Sequence, residues 1–267
     1  MGGAAYIAGA KRNLTNHVYD QIGKMPINQI GDDEMMSALL VINEKGVPSQ
    51  VKLAKTYCSQ VFDFALTRKW VKSNPCKLIN SDKSFHKKET VSFSALTEKE
   101  VPEFMQKLDK LGLSVNAQIC RFLALSGLRT VEMRSLKWEH INDGVAVIPA
   151  SVMKMKKEHM VPLSPQALAI IQNMREQEHG SEYVFPNYKN LDQPVGHVVV
   201  LNLIAKLGYK GRMTGHGWRS IFSTWAYDRQ YNPEVIETQL AHLVGNATSR
   251  AYNRAKYLPQ RKQLLED

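Results

Sequence analysis

Between Trp138 and Leu163 the apolar residues leave helical spacing and fall into three short β-rich runs, WEHI, VAVIP and MVPL. Asn142-Asp143-Gly144 separates the first two. Asp-Gly between such runs favours the left-handed backbone of a tight hairpin. The basic turn SVMKMKKEH separates the second and third. Elsewhere the pattern is helical. The predicted fold is therefore mainly α, with one three-stranded antiparallel sheet set among helices.

The helices fall into two blocks. In the first, Val51, Ala54, Tyr57, Cys58, Val61, Phe62, Ala65 and Leu66 recur at steps of three and four, one apolar stripe. Ser73-Asn74-Pro75 ends this helix, because the residue before a proline resists the helical region. Upstream, LTNHVYDQIG ends at Gly23 as a helix C′ position, and Asp32, Asp33 and Glu34 cap a second helix, MMSALLVINEKG. Residues 1–10 carry no usable pattern. Ser81–Ser94 is polar, charged and aperiodic, and reads as a linker. The expected division is a small helical domain over 1–80, the linker over 81–94, and a larger domain with a C-terminal tail over 95–267. In the second block Thr97 and Glu100 form a capping box, VNAQICRFLALS reads as a buried helix ending at Gly127, and Thr130 is a candidate N-cap. Helices resume at Ser164-Pro165, at VVVLNLIAKLG and through the final third.

A net charge of +10 points to a polyanionic partner, nucleic acid first and an anionic membrane surface second. Lys52 and Lys55 lie off the apolar stripe, Lys87 and Lys88 in the linker, Lys156 in the hairpin turn and Arg250 near the end. Each is a candidate phosphate contact, and each also suits a solvated face. Cys58, Cys76 and Cys120 show neither CxxC nor Cys/His ligand spacing, so neither a disulfide framework nor a structural zinc site is suggested; no other metal and no cofactor is expected either. With no run of 18 apolar residues and a poor signal peptide, the expected location is the cytoplasm.

The stretch Arg212–Tyr257 concentrates the chemistry. It holds His216 and Arg219 at i and i+3, a Leu-Ala-His ending at His242, and Tyr252. Metal-free transfer at a phosphodiester needs a nucleophile, a base beside it, donors for the non-bridging oxygens and an acid for the leaving oxygen. Arginine suits the oxygens because its planar fork grips phosphate bidentately and stays charged. Arg129, after the SGL turn, and Arg219 are the two clamp candidates; each alone reads sooner as a cap or helix-surface residue. Lys154 sits with Lys156 and Lys157 in the basic turn. Trp218, Phe222 and Trp225 read as core packing, His159 and His197 as surface or strand-end histidines.

The order SGLR…E, VMKMKKEHMVPL, HGWR, LAH and then a tyrosine ten residues on resembles the tyrosine recombinase, or phage integrase, family over roughly Ser94–Leu258. IPASVMKMKKEHMVPLSP and QLAHLVGNATSRAYNRAKYL look most like its prophage and genomic-island members. QIGKMPINQI and FALTRKWVKSNPCKLI resemble their core-binding domain. The resemblance implies that Arg129 and Arg219 hold the scissile phosphate and His242 donates to one of its oxygens. Lys154 would protonate the leaving 5′-oxygen, His216 accept the nucleophile's proton and Tyr252 form a 3′-phosphotyrosyl bond, with Glu132 supporting Arg129. Tyr227 and Tyr231 follow His216 too closely to be the nucleophile, and Tyr257 reads as packing the tail.

It further implies two domains clamped on duplex DNA, a homotetramer on two sites, accessory host and directionality proteins, and a tail that docks on a neighbouring protomer. The resemblance implies an arm-binding domain before the core-binding one in relatives of this type, and the chain is expected to start inside the latter. An inactive integrase remnant that only binds DNA, or a type IB topoisomerase-like enzyme, are the alternatives.

Overall fold

The computed structural model describes residues 3–80, 85, 95–242 and 257–267. The chain divides into two compact units, residues 1–91 and 92–267, each built on its own apolar core.

The first unit is helical: α1 (Ala4–His17), α2 (Tyr19–Ile22), α3 (Asp32–Glu44) and α4 (Pro48–Thr67), with α1 and α3 both packed on α4. Residues 4–10 belong to α1 although their sequence is unpatterned. Ile7 is 62% exposed, so this turn buries no stripe that periodicity could register. Gly23 is right-handed (φ −66), not the left-handed cap its type suggests. It is small because a Cβ there would stand 2.7 Å from the Tyr19 carbonyl oxygen. Glu34 caps α3 by accepting from the Gly31 N–H at 2.9 Å. On α4 the stripe is buried except at Leu66, which is half-buried, and at Val61, which is 45% exposed. After α4, Asn74 makes the turn itself: its Nδ2 donates to Asp63 at 2.9 Å and its Oδ1 accepts from the Cys76 N–H at 2.9 Å. Most of 81–94 lies outside the described residues, but Phe85 is buried in this core.

The second unit runs α5 (Val101–Asp109), α6 (Val115–Ser126), α7 (Thr130–Arg134), β1 (Ile141–Asn142), β2 (Val145–Ile148), β3 (His159–Pro162), α8 (Pro165–Arg175), β4 (Pro186–Asn187), β5 (Asn190–Pro194), α9 (Val199–Lys206), α10 (Gly217–Asp228), α11 (Pro233–Gln239) and α12 (Leu258–Glu266). The sheet is antiparallel in the order β1-β2-β3, with Ala146 opposite Val161 and Ile148 opposite His159. Its inward residues join α6 and α8 in one large core. The Asp143-Gly144 turn is as expected, both residues having positive φ. The run WEHI is mostly not strand: Trp138–His140 is a 3-10 turn, held by the Trp138 indole donating to the Ser181 carbonyl at 3.0 Å. A second hairpin, β4–β5, was not expected, since NLDQP is polar and exposed and has no alternation to detect.

The junctions at either end of the Gly127–Arg129 turn fix how α6 hands over to α7. Helix α6 ends in Gly127 with φ +64, a left-handed cap that a side chain would strain. Arg129, not Thr130, is the N-cap residue of α7. The tail packs within its own chain: α12 rests on β3 and α11, with Leu264 and Leu265 in a cluster with Phe222, Ile236 and Leu240. Among the described residues no helix is long and apolar enough to cross a membrane.

Candidate active site

Arg219 lies on the first turn of α10 and is 3% exposed. The aromatic side of the same helix, with Trp218 and Phe222 buried, fixes the helix against the core and directs Arg219 towards the ends of α6 and α11. Its Nη1 donates to the Gly127 carbonyl and its Nη2 to the Leu240 carbonyl, each at 2.5 Å. Nη2 also stands 3.1 Å from Nε2 of His242. Two backbone carbonyls thus set the plane of the guanidinium. Burial pushes its pKa down to about 10, and the neighbouring Arg129 charge adds to the shift.

Arg129 reaches the same place from the α6–α7 turn. Its Nη1 pairs with Glu132 at 2.7 Å, and the other oxygen of Glu132 accepts the Arg129 backbone N–H at 2.8 Å. Glu132 is 1% exposed, so it serves as a fixed brace beneath Arg129, whose side chain remains partly accessible. The Arg129 charge acts on both Arg219 and His216.

His216 is the exposed N-cap residue of α10. Desolvation lowers its pKa, and Arg219, Arg129 and His242 lower it further, which keeps the ring neutral and able to accept a proton at neutral pH. His242 follows α11. The helix ends in a Schellman motif, with the Ala241 N–H on the Thr238 carbonyl and the His242 N–H on the Glu237 carbonyl at 2.9 Å. Ala241 takes the left-handed position (φ +50), and this reversal lays His242 back over Glu237, 2.7 Å from its carboxylate.

Under these groups lies a polar layer that sequence reasoning missed. Gln239 is buried, donates to the Ser126 carbonyl at 2.8 Å and accepts from Arg261 Nε at 2.8 Å. Arg261, on α12, is 1% exposed and its Nη2 donates to the Met160 carbonyl of β3. His159 starts β3 as expected but is buried, with Nε2 3.1 Å from the Gln239 carbonyl. Burial drives its pKa down to about 3, assisted by the Arg261, Arg219 and Arg129 charges. No motif announces these residues. For Glu237 the signal was an acid five positions before His242, legible only once the cap geometry is known.

The remaining candidates fall elsewhere. Lys154 is exposed in the β2–β3 turn, and among the described residues no hydrogen bond joins it to the arginines. Tyr252, Lys87, Lys88 and Arg250 lie outside the described residues. The rival tyrosines are each tied to a carboxylate: Tyr227 to Glu237 at 3.0 Å, Tyr231 to Asp267, and Tyr257 to Glu234. Desolvation and then the Glu237 bond raise the pKa of Tyr227, and the Asp267 bond raises that of Tyr231, the wrong direction for a nucleophile. Lys156 donates to the Ser151 carbonyl at 3.2 Å. In the first unit Lys52 and Lys55 line an open polar cavity with Lys77 and Asn80, and Lys55 is bonded to the Ile79 carbonyl. His197 is exposed.

Known proteins share this arrangement of sequence and fold. The chain is 34% identical over 267 residues to prophage integrase IntZ of Escherichia coli K12, covering 98% of this chain and 65% of that protein. It is 30% identical over 250 residues to the integrase of Shigella phage Sf6, covering 92% and 64%. The chain thus spans a little under two thirds of the length of these relatives. Its fold is similar to that of a lambda integrase dimer bound to a COC′ core site, with a TM-score of 0.72 at 16% identity over 96% of this chain and 90% of that one. It is also similar to the Tn1549 transposon integrase in complex with circular intermediate DNA, with a TM-score of 0.73 at 16% identity over 98% and 94%. Residues 3–81 match the phage integrase central domain. Residues 94–258 match the phage integrase family itself, and the chain belongs to that family, the tyrosine recombinases.

Proposed function

We propose that the chain is a site-specific recombinase that cleaves and rejoins duplex DNA through Tyr252, integrating or excising a mobile element. The observation that carries this reading is the convergence of Arg219, Arg129, His216 and His242, with Arg219 locked by the Gly127 and Leu240 carbonyls. Arg129 and Arg219 bind the non-bridging oxygens of the scissile phosphate, and His242 donates to one of them. The Tyr252 hydroxyl attacks phosphorus while His216 takes its proton. The bond to the 5′-oxygen breaks, and Lys154 supplies the proton for that oxygen. The 3′-phosphotyrosyl ester conserves the bond energy, so rejoining needs neither ATP nor a resident metal.

The net charge of +10 and the lysines of both units, Lys52, Lys55, Lys87, Lys88 and Lys156 with Arg250, would follow the DNA backbone. The DNA-bound lambda and Tn1549 integrases support duplex DNA as the partner, and a lambda integrase tetramer on a Holliday junction supports a tetramer spanning two sites. Host and directionality proteins are the further partners this reading implies.

The test uses nicked, end-labelled duplexes spanning the DNA that flanks the gene. An SDS-resistant covalent adduct, lost in Tyr252→Phe, is the expected result. Salt-sensitive binding with no adduct would leave a DNA-binding protein without chemistry and overturn the proposal. Relaxation of supercoils without joining of two sites would point instead to a topoisomerase.

A further inference from the structure

Glu237 and His242 are bonded in a way that determines which ring nitrogen carries hydrogen. Glu237 Oε2 is 2.7 Å from His242 Nδ1. A carboxylate only accepts, so Nδ1 is the N–H. On the other side Arg219 Nη2 lies 3.1 Å from Nε2. A guanidinium only donates, so Nε2 offers its lone pair. The two partners together assign one neutral tautomer and one ring plane. The brace has its own support: Tyr227 donates to the second oxygen of Glu237 at 3.0 Å. Tyr227 and Arg219 both belong to α10, so one helix holds the histidine directly and through the carboxylate.

In this arrangement Nε2 is an acceptor facing Arg219. With Arg219 still held by the two carbonyls, a phosphate oxygen that takes the Nη2 hydrogen now facing His242 releases Nε2 towards the same oxygen, and a proton taken from solvent makes Nε2 a donor. Glu237, already seated at Nδ1, then faces a cationic ring. We propose that Glu237 is a positioning residue for His242, holding the ring plane and the Nδ1–H tautomer so that Nε2 is aimed at the phosphate that Arg219 binds. The claim about the ring is independent of the chemistry, whereas the claim about rate rests on the proposed strand transfer through Tyr252.

The experiment uses the full chain, the same nicked duplexes and nitrogen-15 histidine labelling. In the wild type the His242 resonances are expected to report hydrogen on Nδ1. Glu237→Ala is expected to lose that signature, since a free imidazole prefers hydrogen on Nε2, and to slow adduct formation about tenfold, the scale of one lost hydrogen bond to a charged group. DNA affinity should stay within about twofold, because Glu237 is no phosphate ligand. Glu237→Gln keeps an acceptor for Nδ1 and should restore the tautomer and most of the rate. Adding Glu237→Ala to His242→Ala should cost nothing further, since the first acts through the second. An unchanged tautomer in Glu237→Ala, or equal losses from that substitution with and without His242, would overturn the proposal. If the tautomer responds but the wild type forms no adduct, the hold of Glu237 on His242 stands and the strand-transfer reading falls.

Discussion

Arg261 Nε donates to Gln239 Oε1 at 2.8 Å, and through this bond the C-terminal helix reaches the floor of the candidate site. Gln239 passes the connection to the Ser126 carbonyl at 2.8 Å, one residue before the Gly127 carbonyl that anchors Arg219. Helix α12 is thus fastened to the elements that carry Arg129, Arg219 and His242.

Replacing Arg261 should therefore be costly. Arg261→Met preserves much of the volume but leaves Gln239 Oε1 and the Met160 carbonyl without their donor, at a cost of about 2–4 kcal/mol. A urea melt would read this as a lower midpoint. An unchanged midpoint would mean that water replaces the guanidinium without loss.

Ala241→Gly should stabilise the fold. Ala241 holds φ +50 in the Schellman motif after α11, a conformation that costs an L-residue about 1–2 kcal/mol. Glycine removes that strain and gives back part of the gain as unfolded-state entropy, leaving about 0.5–1 kcal/mol. A thermal melt that moves down instead would show that the alanine methyl makes packing contacts worth more than the strain.

His159 sets a pH dependence of stability. Its folded pKa, about 3, lies below the unfolded value, so between these the unfolded chain binds the extra proton. Its contribution is fully present above the unfolded value of about 6.5. It falls by about 1.4 kcal/mol per pH unit as the pH drops towards the folded value. Urea midpoints measured from pH 7 to pH 4 should decline with this component, and His159→Gln should remove it. Equal slopes for the two proteins would exclude His159 as the source.

Arg219→Lys should abolish most of the chemistry while leaving DNA binding nearly intact. An ammonium cannot span the Gly127 and Leu240 carbonyls and still present a fork to phosphate. Loss of one preorganised donor to a developing charge slows comparable reactions by about 10²–10³-fold. Quenched time courses of adduct formation measure this directly. A lysine variant within threefold of the wild-type rate would remove Arg219 from the mechanism.

Legibility of the fold followed burial. The α4 stripe, the Asp143-Gly144 turn and the Gly127 cap are written in residue type because each solves a local problem with one kind of side chain. Helix α1 was half hidden because its first turns bury no stripe, and β4–β5 because its residues are polar and exposed. The candidate residue types could be picked out in sequence because the proposed phosphate chemistry admits few alternatives. Their supports did not. The groups that orient Arg219 are backbone carbonyls, which every residue possesses. Gln239 and Arg261 resemble surface residues until the fold buries them, and the cap that positions His242 uses alanine where glycine would have signalled it.

The placing of Arg129 beside Arg219 carries a thermodynamic consequence. Burial, and after it the Arg129 charge, make the Arg219 cation less favourable than it would be in water. The fold therefore holds like charges together at some expense to its own stability, offset in part by Glu132 and Glu237, and the anionic phosphate of the proposed substrate would relieve the repulsion. On the proposed reading folding free energy and phosphate affinity are coupled: an anion bound between the two arginines lowers the cost of holding them together, so ligand binding should raise the stability of the fold.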